Sequence, residues 1–344
     1  MRARPIRTFD EFRDAVSAYR LPRILLTALD LNLFTAMQSR PWTIGALAKR
    51  LRVSRRGLEI LCRNLATAGL LTKRGLTYRN SQLGMRELNA RSPGYRGAYL
   101  DLVRSQWEDW SRLTTSVKRG KSVEESSRDS AAYRREFSWA MHHRSRTIAP
   151  QVAAQVNLKG ARTLLDLGGG PGTYALAFLA RNPALRATVC DRVAAVQVAK
   201  QIAAPLAHGR RLSYLPLDFM KRSLPGRYDV IWYSNVLHIY SPEENAALFR
   251  RVVRNLTPGG RLIVQDAFTT DRQGLYPEET NLFAVTMLLF TATGNTYGMA
   301  ETTRWLRRAG FGKVRAIRLR KGTEDWEGGL LDASIPKTRS RARF

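Results

Sequence analysis

The feature that most constrains the fold is a change in hydrophobic pattern near residue 161, where short apolar runs begin to alternate with longer amphipathic ones. The runs typical of buried strands are ARTLLDL, RATVCD, LSYLPLDF, YDVIWYSNVLH and RLIVQDAF. The runs between them, such as TYALAFLARNP and PEENAALFRRVVRNL, are typical of helices. Strands that alternate with helices through short links predict an α/β domain with a doubly wound, mostly parallel sheet, which we place at residues 151–330.

A glycine-rich turn follows the first predicted strand, in LLDLGGGPGTYA. Glycines such as Gly168 and Gly170 let the backbone approach a ligand closely, and the N-terminus of the next helix lies behind them. Ligands of such sheets bind beyond the carboxyl ends of the strands, where Asp166 ends the first strand and Asp191 ends the second. A carboxylate at Asp191 suits the two hydroxyls of a ribose, so the pattern predicts a cofactor that contains a nucleoside.

Two kinds of cofactor fit this turn. The spacing G-x-G-x-x-A also matches the fingerprint of dinucleotide-binding enzymes, which would make the protein a nicotinamide-dependent dehydrogenase. Asp166 favours S-adenosylmethionine, because a carboxylate suits a cationic amino acid better than a pyrophosphate. Asp218 and Phe219 end the third strand, where they can accept from an adenine amino group and flank its ring. Asp218 also fits a turn or N-cap aspartate with no ligand.

Helical spacing dominates the first part of the chain. Beyond an apolar stretch at 12–38, the sequence predicts a helix at 44–51, a helix at 55–67 and then a hairpin around Arg74-Gly75. Two helices that are joined by a tight turn and followed by a hairpin indicate a winged helix. The domains we predict are a winged-helix domain at 1–110, linking helices at 111–150 and, after the α/β domain, a basic tail at 331–344.

The winged-helix pattern invites a DNA-binding interpretation, since Arg55, Arg56 and Arg63 lie on its second helix. That helix is also rich in apolar residues, and we expect no nucleic-acid partner. The net charge of the chain is +29, and basic residues outnumber acidic ones throughout. Both a general compositional bias and an anionic partner or membrane surface would account for the charge.

Targeting and metal signals are missing from the sequence. Cys62 and Cys190 form no metal-ligand spacing and suggest no disulfide framework, so we predict no metal site. The longest apolar run, LFAVTMLLF, is too short to span a bilayer, and no signal peptide is evident. These features predict a soluble cytoplasmic protein.

Several motifs together resemble those of one family. They are LLTALDLNLF, LLDLGGGPGTYALAFLARNP, TVCD, LDF, NVLHIYS, LTPGGRLIVQD and RRAGF, and they run from about residue 15 to 320. The sequence resembles the S-adenosylmethionine-dependent O-methyltransferases of plants and bacteria that act on small aromatic and polyketide hydroxyls. The resemblance implies a homodimer formed through the winged-helix domain and a class I methyltransferase domain that binds S-adenosylmethionine.

The resemblance also implies roles for individual residues. In the cofactor site, Asp191 matches the acid that binds the ribose, Asp218 and Phe219 match adenine contacts, and Tyr240 stands where the family usually has tryptophan beside the adenine. We add Asp166, Gly168, Gly170, Arg192 and Ser234 to this site. The segment FSWAM and the helix in NLFAVTMLLFTATGN match walls of the acceptor pocket, whose predicted residues are Phe137, Met141, Met287, Thr291 and Thr296.

His238 follows the fourth predicted strand, at the edge of the sheet where ligands bind. A lone histidine there can be structural, but it matches the family's catalytic base. A phenol with a pKa near 10 lies about 3.5 units above free histidine, a gap of about 5 kcal/mol that an approaching sulfonium helps to offset. An aliphatic alcohol is much harder to deprotonate, so the argument favours phenolic or enolic acceptors.

Two carboxylates usually brace this histidine in the family. Asp266 fits the first place, and the second falls at Thr296, which is not acidic. Orientation of the imidazole would then rest on Asp266, although an aspartate at a strand end can also simply bind turn amides. A C- or N-methyltransferase, and a non-enzymatic regulator that senses S-adenosylmethionine, therefore stay open.

Overall fold

The computed structural model describes residues 5–123, 130–320 and 329–337. The chain divides into two compact units between Arg104 and Ser105, a few residues before the boundary predicted at 110. No helix within these described ranges is both long enough and apolar enough to cross a membrane.

The first unit is mainly helical, with a small sheet of strand order β1-β3-β2. Its elements are α1 (Phe9–Ser17), α2 (Arg20–Asp30), α3 (Leu33–Met37), β1 (Trp42–Thr43), α4 (Ile44–Leu51), α5 (Arg55–Thr67), β2 (Leu71–Arg74), β3 (Thr77–Asn80) and α6 (Gly97–Ser105). The two helices and the hairpin of the predicted winged helix have the predicted bounds.

Local capping explains why α4 and α5 begin where they do. Thr43 and Ser54 precede the two helices, and their hydroxyls accept hydrogen bonds from Ala46 N (3.4 Å) and Gly57 N (3.3 Å). Arg52 adopts a left-handed conformation with φ of 57° and ends α4. The turn between the helices is therefore encoded locally, and the apolar faces of both helices pack into one core.

The second unit is built around a seven-stranded sheet of order β11-β12-β8-β7-β4-β5-β6. Its helices are α7 (Trp107–Ser111), α8 (Leu113–Arg119), α9 (Ala131–Ser145), α10 (Ala149–Gln155), α11 (Thr173–Arg181), α12 (Val193–Ala203), α13 (Pro242–Val252), α14 (Glu278–Phe290) and α15 (Met299–Arg308). Its strands are β4 (Thr163–Leu167), β5 (Arg186–Asp191), β6 (Leu212–Pro216), β7 (Tyr228–Ser234), β8 (Leu256–Gln265), β9 (Phe268–Thr269), β10 (Tyr297–Gly298), β11 (Lys313–Ile317) and β12 (Leu330–Ser334).

The strand order places the predicted ligand site. Strands β4 to β8 pair in parallel, and the chain moves outward from β4 first through β5 and β6 and then through β7 and β8. Loops that leave β4 and β7 therefore diverge to opposite sides and open a crevice at the carboxyl edge, the usual ligand position in such sheets. The predicted fold class, a helical first part followed by a doubly wound, mostly parallel sheet, is confirmed.

The end of the chain differs from the prediction. The basic tail was expected to begin at 331, but Leu330–Ser334 forms β12, which lies antiparallel between β8 and β11. Leu331 and Ala333 are buried, and the buried Asp332 carboxylate accepts hydrogen bonds from Arg261 and Arg315. A five-residue strand after a charged stretch has too little periodicity to be seen in sequence, and its position depends on pairing with β8 and β11. The rest of the predicted tail, 338–344, lies outside the described residues.

Candidate active site

The glycine turn joins β4 to α11 beneath the crevice. Gly168 has φ of +73°, a conformation that residues with a Cβ rarely adopt, and an added Cβ would lie 2.7 Å from Val236 Cγ2. Gly168 N donates to Cys190 O at 2.8 Å, which ties the turn to the end of β5. Glycine is therefore required at this position by both the backbone conformation and the packing.

Asp191 ends β5 and faces the same turn. Its carboxylate accepts hydrogen bonds from Gly170 N (2.8 Å) and Arg192 N (2.6 Å). Burial raises the pKa of Asp191, while the two backbone N–H groups and the positive charges of Arg134 and Arg192 oppose that rise. The structure thus brings together the predicted residues Gly170, Asp191 and Arg192. Arg134, on α9, was missed because no sequence signal links that helix to β5.

The predicted adenine contacts also lie together. Asp218 follows β6, and its Oδ1 accepts from Met220 N at 3.1 Å, so it does serve as a turn aspartate. Its other oxygen lies 3.5 Å from the Arg192 guanidinium. The ring of Phe219 is buried and packs edge-on against Tyr240, with 6.3 Å between centroids. A carboxylate and two aromatic rings therefore line one end of the crevice.

Asp166 lies at the start of the glycine turn and is buried. Its Oδ2 accepts a hydrogen bond from Ala175 N, in the first turn of α11, at 3.3 Å. Burial raises the pKa of Asp166 to about 7, the bond from Ala175 lowers it, and the nearby carboxylate of Asp191 raises it further. This predicted site residue therefore titrates near neutral pH in the free protein.

We expect the replacement Asp166→Asn to change how stability depends on pH. The folded-state pKa of about 7 lies above the unfolded value near 3.9, so the unfolded chain loses this proton at lower pH. The carboxyl group therefore contributes stability that is present below about pH 4 and is lost as the pH rises to about 7, by up to about 4 kcal/mol. Urea titrations across this range should show the free energy of unfolding of the asparagine variant rising relative to that of the wild type as the pH increases. A constant difference between the two proteins would contradict the raised pKa.

Ser234 ends β7 and faces the end of β8. Its hydroxyl donates to Gln265 Oε1 at 2.9 Å and accepts from Asn235 Nδ2 at 3.0 Å. Gln265 and Asn235 were not among the predicted site residues. Their positions next to Asp266 and Ser234 in the chain were the available signal, but the pairing of β7 with β8 was needed to bring them together.

His238 lies in a 3₁₀ turn, Leu237–Ile239, directly after β7, and its side chain is buried. Its Nδ1 is 2.8 Å from Asp266 Oδ1. The same carboxylate accepts hydrogen bonds from Ala267 N (2.7 Å) and Val236 N (3.1 Å). These two bonds fix the positions of both carboxylate oxygens. Asp266 thus binds turn amides and the histidine together. The arrangement places the proton of the neutral imidazole on Nδ1 and leaves Nε2 as the nitrogen that can accept one.

The predicted acceptor walls belong to two different helices. Phe283, which sequence reasoning did not single out, packs edge-on against His238, with 4.7 Å between ring centroids. Met287 and Thr291 follow it at helical spacing, in α14 and at its end. Phe137, 40% exposed, stacks on Tyr133 at 6.1 Å in α9.

Thr296 and Met141 occupy the remaining predicted wall positions. Thr296 is partly exposed, and its backbone N–H donates to Asn295 Oδ1 at 2.8 Å. Met141 lies in α9 beside His142, whose Nδ1 is 3.0 Å from Thr173 Oγ1 at the start of α11. Burial lowers the pKa of His142 to about 4, and the charges of His143 and Arg146 lower it further. His142 is therefore neutral at physiological pH.

The fold and this edge of the sheet define a class of protein, a Rossmann-like enzyme that binds a nucleoside cofactor. Comparison with known families is more specific. The profile of the O-methyltransferase domain matches residues 100–312, and that of the O-methyltransferase dimerisation domain matches residues 14–88. The chain therefore belongs to the O-methyltransferase family and is a methyltransferase, as the sequence motifs predicted. The dehydrogenase alternative is wrong.

Individual relatives agree with this family. The chain is 31% identical over 301 residues to the tetracenomycin polyketide synthesis 8-O-methyltransferase of Streptomyces glaucescens, covering 85% of this chain and 88% of the relative. It is 30% identical over 301 residues to a 3-hydroxy-5-methyl-1-naphthoate 3-O-methyltransferase of Streptomyces sahachiroi, covering 86% and 87%.

Solved structures share the fold over nearly the whole chain. The mitomycin 7-O-methyltransferase MmcR is 25% identical, with a TM-score of 0.78 and coverage of 96% of this chain and 97% of that one. Human N-acetylserotonin methyltransferase, solved in complex with S-adenosylmethionine, has a TM-score of 0.82 at 23% identity, with coverage of 98% and 100%.

Proposed function

We propose that this enzyme transfers a methyl group from S-adenosylmethionine to a phenolic or enolic hydroxyl of a small aromatic or polyketide-like molecule. The observation that carries the proposal is the buried pair of His238 and Asp266 at the carboxyl edge of the sheet, 2.8 Å apart. The two bacterial relatives are named as methyltransferases of a polyketide and of a hydroxynaphthoate, which supports this class of acceptor.

The residues of the crevice fit S-adenosylmethionine. Asp191 is fixed by two backbone N–H groups at the end of β5, where it can receive the ribose hydroxyls. Asp218, Phe219 and Tyr240 can receive the adenine, and the carboxyl group of Asp166 can receive the ammonium group. The remaining residues that we assign to this site are Gly168, Gly170, Arg192 and Ser234. The cofactor supplies a methyl group on a positively charged sulfonium, which is a good leaving group.

His238 acts in this proposal as the general base. Nδ1–H donates to Asp266, which leaves the lone pair of Nε2 to accept the proton of the acceptor hydroxyl. The acceptor oxygen would form its bond to the methyl carbon as the bond from that carbon to the sulfonium sulfur breaks, and the sulfur would leave as a neutral thioether. Asp266 holds the ring in this orientation and stabilises the imidazolium that forms. A positioned base of this kind contributes about 10²- to 10⁴-fold to the rate.

The acceptor lies, in this proposal, between α9 and α14. Phe137 and Met141 form one wall, and Met287, Thr291 and Thr296 form the other. Phe283 packs against the histidine ring and limits how a planar acceptor can approach it. Apolar walls with few polar groups suit a flat aromatic molecule.

A screen of phenols with methyl-labelled S-adenosylmethionine tests the proposal. We expect label to appear in phenols and naphthols, and product NMR to show the new methyl group on oxygen. Aliphatic alcohols of similar size are the matched controls and should stay unlabelled. Methylation of carbon or nitrogen in the products would overturn the assignment of O-methylation to a phenolic acceptor.

We also propose that the protein is a homodimer formed through its first unit. The dimerisation profile covers residues 14–88, and an apolar stripe continues it along α1 and beyond. Phe9, Phe12, Val16 and Tyr19 share this stripe at helical spacing, and each is more than half exposed in the single chain. Covering them with a second copy removes apolar surface from water.

Light scattering at micromolar concentration should give twice the mass of one chain. Phe12→Asp combined with Tyr19→Asp should shift the protein toward the monomer, whereas Asp14→Asn, on the same helix, should not. A wild-type monomer at that concentration would contradict the proposal.

A further inference from the structure

The loop after α14 contacts the turn that carries His238. Thr296, the position predicted for a second carboxylate, lies in this loop and carries no acid. The loop does contact the main chain of the histidine. Asn295 N donates to His238 O at 3.0 Å.

Gly294 lies directly against the same carbonyl. A Cβ added at Gly294 would overlap His238 O and would lie 2.5 Å from Thr291 Oγ1. Side-chain atoms essentially never approach a backbone oxygen so closely, so either the loop or the histidine would have to move. Glycine is required here by close packing against the active-site turn.

The loop is itself fixed at both ends. Thr291 Oγ1 donates to Met287 O at 2.7 Å and accepts from Gly294 N at 3.0 Å, which ties the loop to the last turn of α14. At the other end, Tyr297 Oη donates to Tyr240 O at 2.6 Å. The loop therefore contacts the 3₁₀ turn at the carbonyl groups of residues 238 and 240.

We propose that Gly294 is a positioning residue for His238, and that the main chain of the loop restrains the turn that carries the imidazole. The inference rests on the proposed role of His238 as the base. Asp266 fixes the imidazole through Nδ1, and the loop fixes the backbone from which the imidazole projects. Together they set the direction of Nε2, and a misplacement of about 1 Å at a reacting group can cost about 10² in rate.

Gly294→Ala tests the proposal, with Gly298→Ala as its control. Gly298 lies in the same segment, and a Cβ there would meet only Thr269 Oγ1 at 3.4 Å and Glu301 at 3.8 Å or more. With 2-naphthol as the acceptor, or a faster phenol from the screen, Gly294→Ala should lower kcat by about 10- to 100-fold. The KM for the acceptor and the Kd for S-adenosylmethionine should change less than threefold. The control should retain wild-type values.

NMR of isotope-labelled imidazole nitrogens gives a readout that does not depend on turnover. His238 is assigned by the loss of its signal in His238→Ala, and the cofactor-saturated wild type should show the tautomer with the proton on Nδ1. Gly294→Ala should broaden this signal or mix the tautomers, and Gly298→Ala should not. If the signal moves but His238→Ala retains full activity, the positioning holds and the base assignment fails.

Thr291→Val provides a second variant in case Gly294→Ala does not fold. It keeps the side-chain shape and removes the hydroxyl that links Gly294 to Met287. The imidazole signal of His238 should therefore change as in Gly294→Ala, and kcat should fall about 3- to 10-fold. Wild-type kcat and an unchanged imidazole signal in both variants would overturn the proposal. A fall in melting temperature without any change in kcat or in the imidazole signal would show that Gly294 has only a structural role, and it would also overturn the proposal.

Discussion

His238→Ala is expected to lower turnover by about 10²- to 10⁴-fold while S-adenosylmethionine binding stays nearly unchanged. The reason is that, in the proposed mechanism, Nε2 accepts the proton of the acceptor hydroxyl and does not bind the cofactor. The loss should shrink along a series of increasingly acidic phenols, because those ionise without help. Steady-state kinetics on such a series measure the loss of turnover, and calorimetric titration with the cofactor measures its affinity.

His208→Ala is the matched control for this variant, since His208 lies in a 3₁₀ turn before β6 and is only partly buried. It should retain wild-type turnover. Full activity of His238→Ala on a weakly acidic phenol would show that the histidine is structural.

Asp191→Ala is expected to weaken S-adenosylmethionine binding by about 1–3 kcal/mol, or roughly 5- to 150-fold in Kd, the scale of hydrogen bonds to a charged group. The carboxylate is held in place before the ligand arrives by Gly170 N and Arg192 N, so its remaining acceptor sites are free to receive hydroxyl donors. Calorimetric titration of the purified variant measures the change directly.

Asp191→Asn separates binding from folding in the same experiment. The amide oxygen can still accept from Gly170 N, so this variant should keep more of the wild-type stability than alanine, which leaves both N–H groups without this partner. Both variants should bind the cofactor more weakly than the wild type. Wild-type affinity in both would remove Asp191 from the ribose site.

The sequence by itself determined the features that are encoded locally. Helices α4 and α5 begin at Thr43 and Ser54, side chains that cap the next turn, so their bounds could be read from the chain. The alternation of strands and helices predicted the parallel sheet, and Asp166 and Asp191 were selected as candidates because strand ends in such sheets meet at one edge. These predictions depend on neighbours within a few residues.

Contacts between distant parts of the chain were decided only by the tertiary structure. Asp266 was predicted to brace His238, yet the 2.8 Å bond between them exists because β7 and β8 pair in one register. Phe283 and Gly294 approach the same histidine from a later helix and loop, and no periodicity marks either residue. Strand β12 likewise lies between β11 and β8, a position that its own short sequence does not encode. A residue's local pattern encodes its own conformation, whereas its neighbours across the fold depend on how all the elements pack.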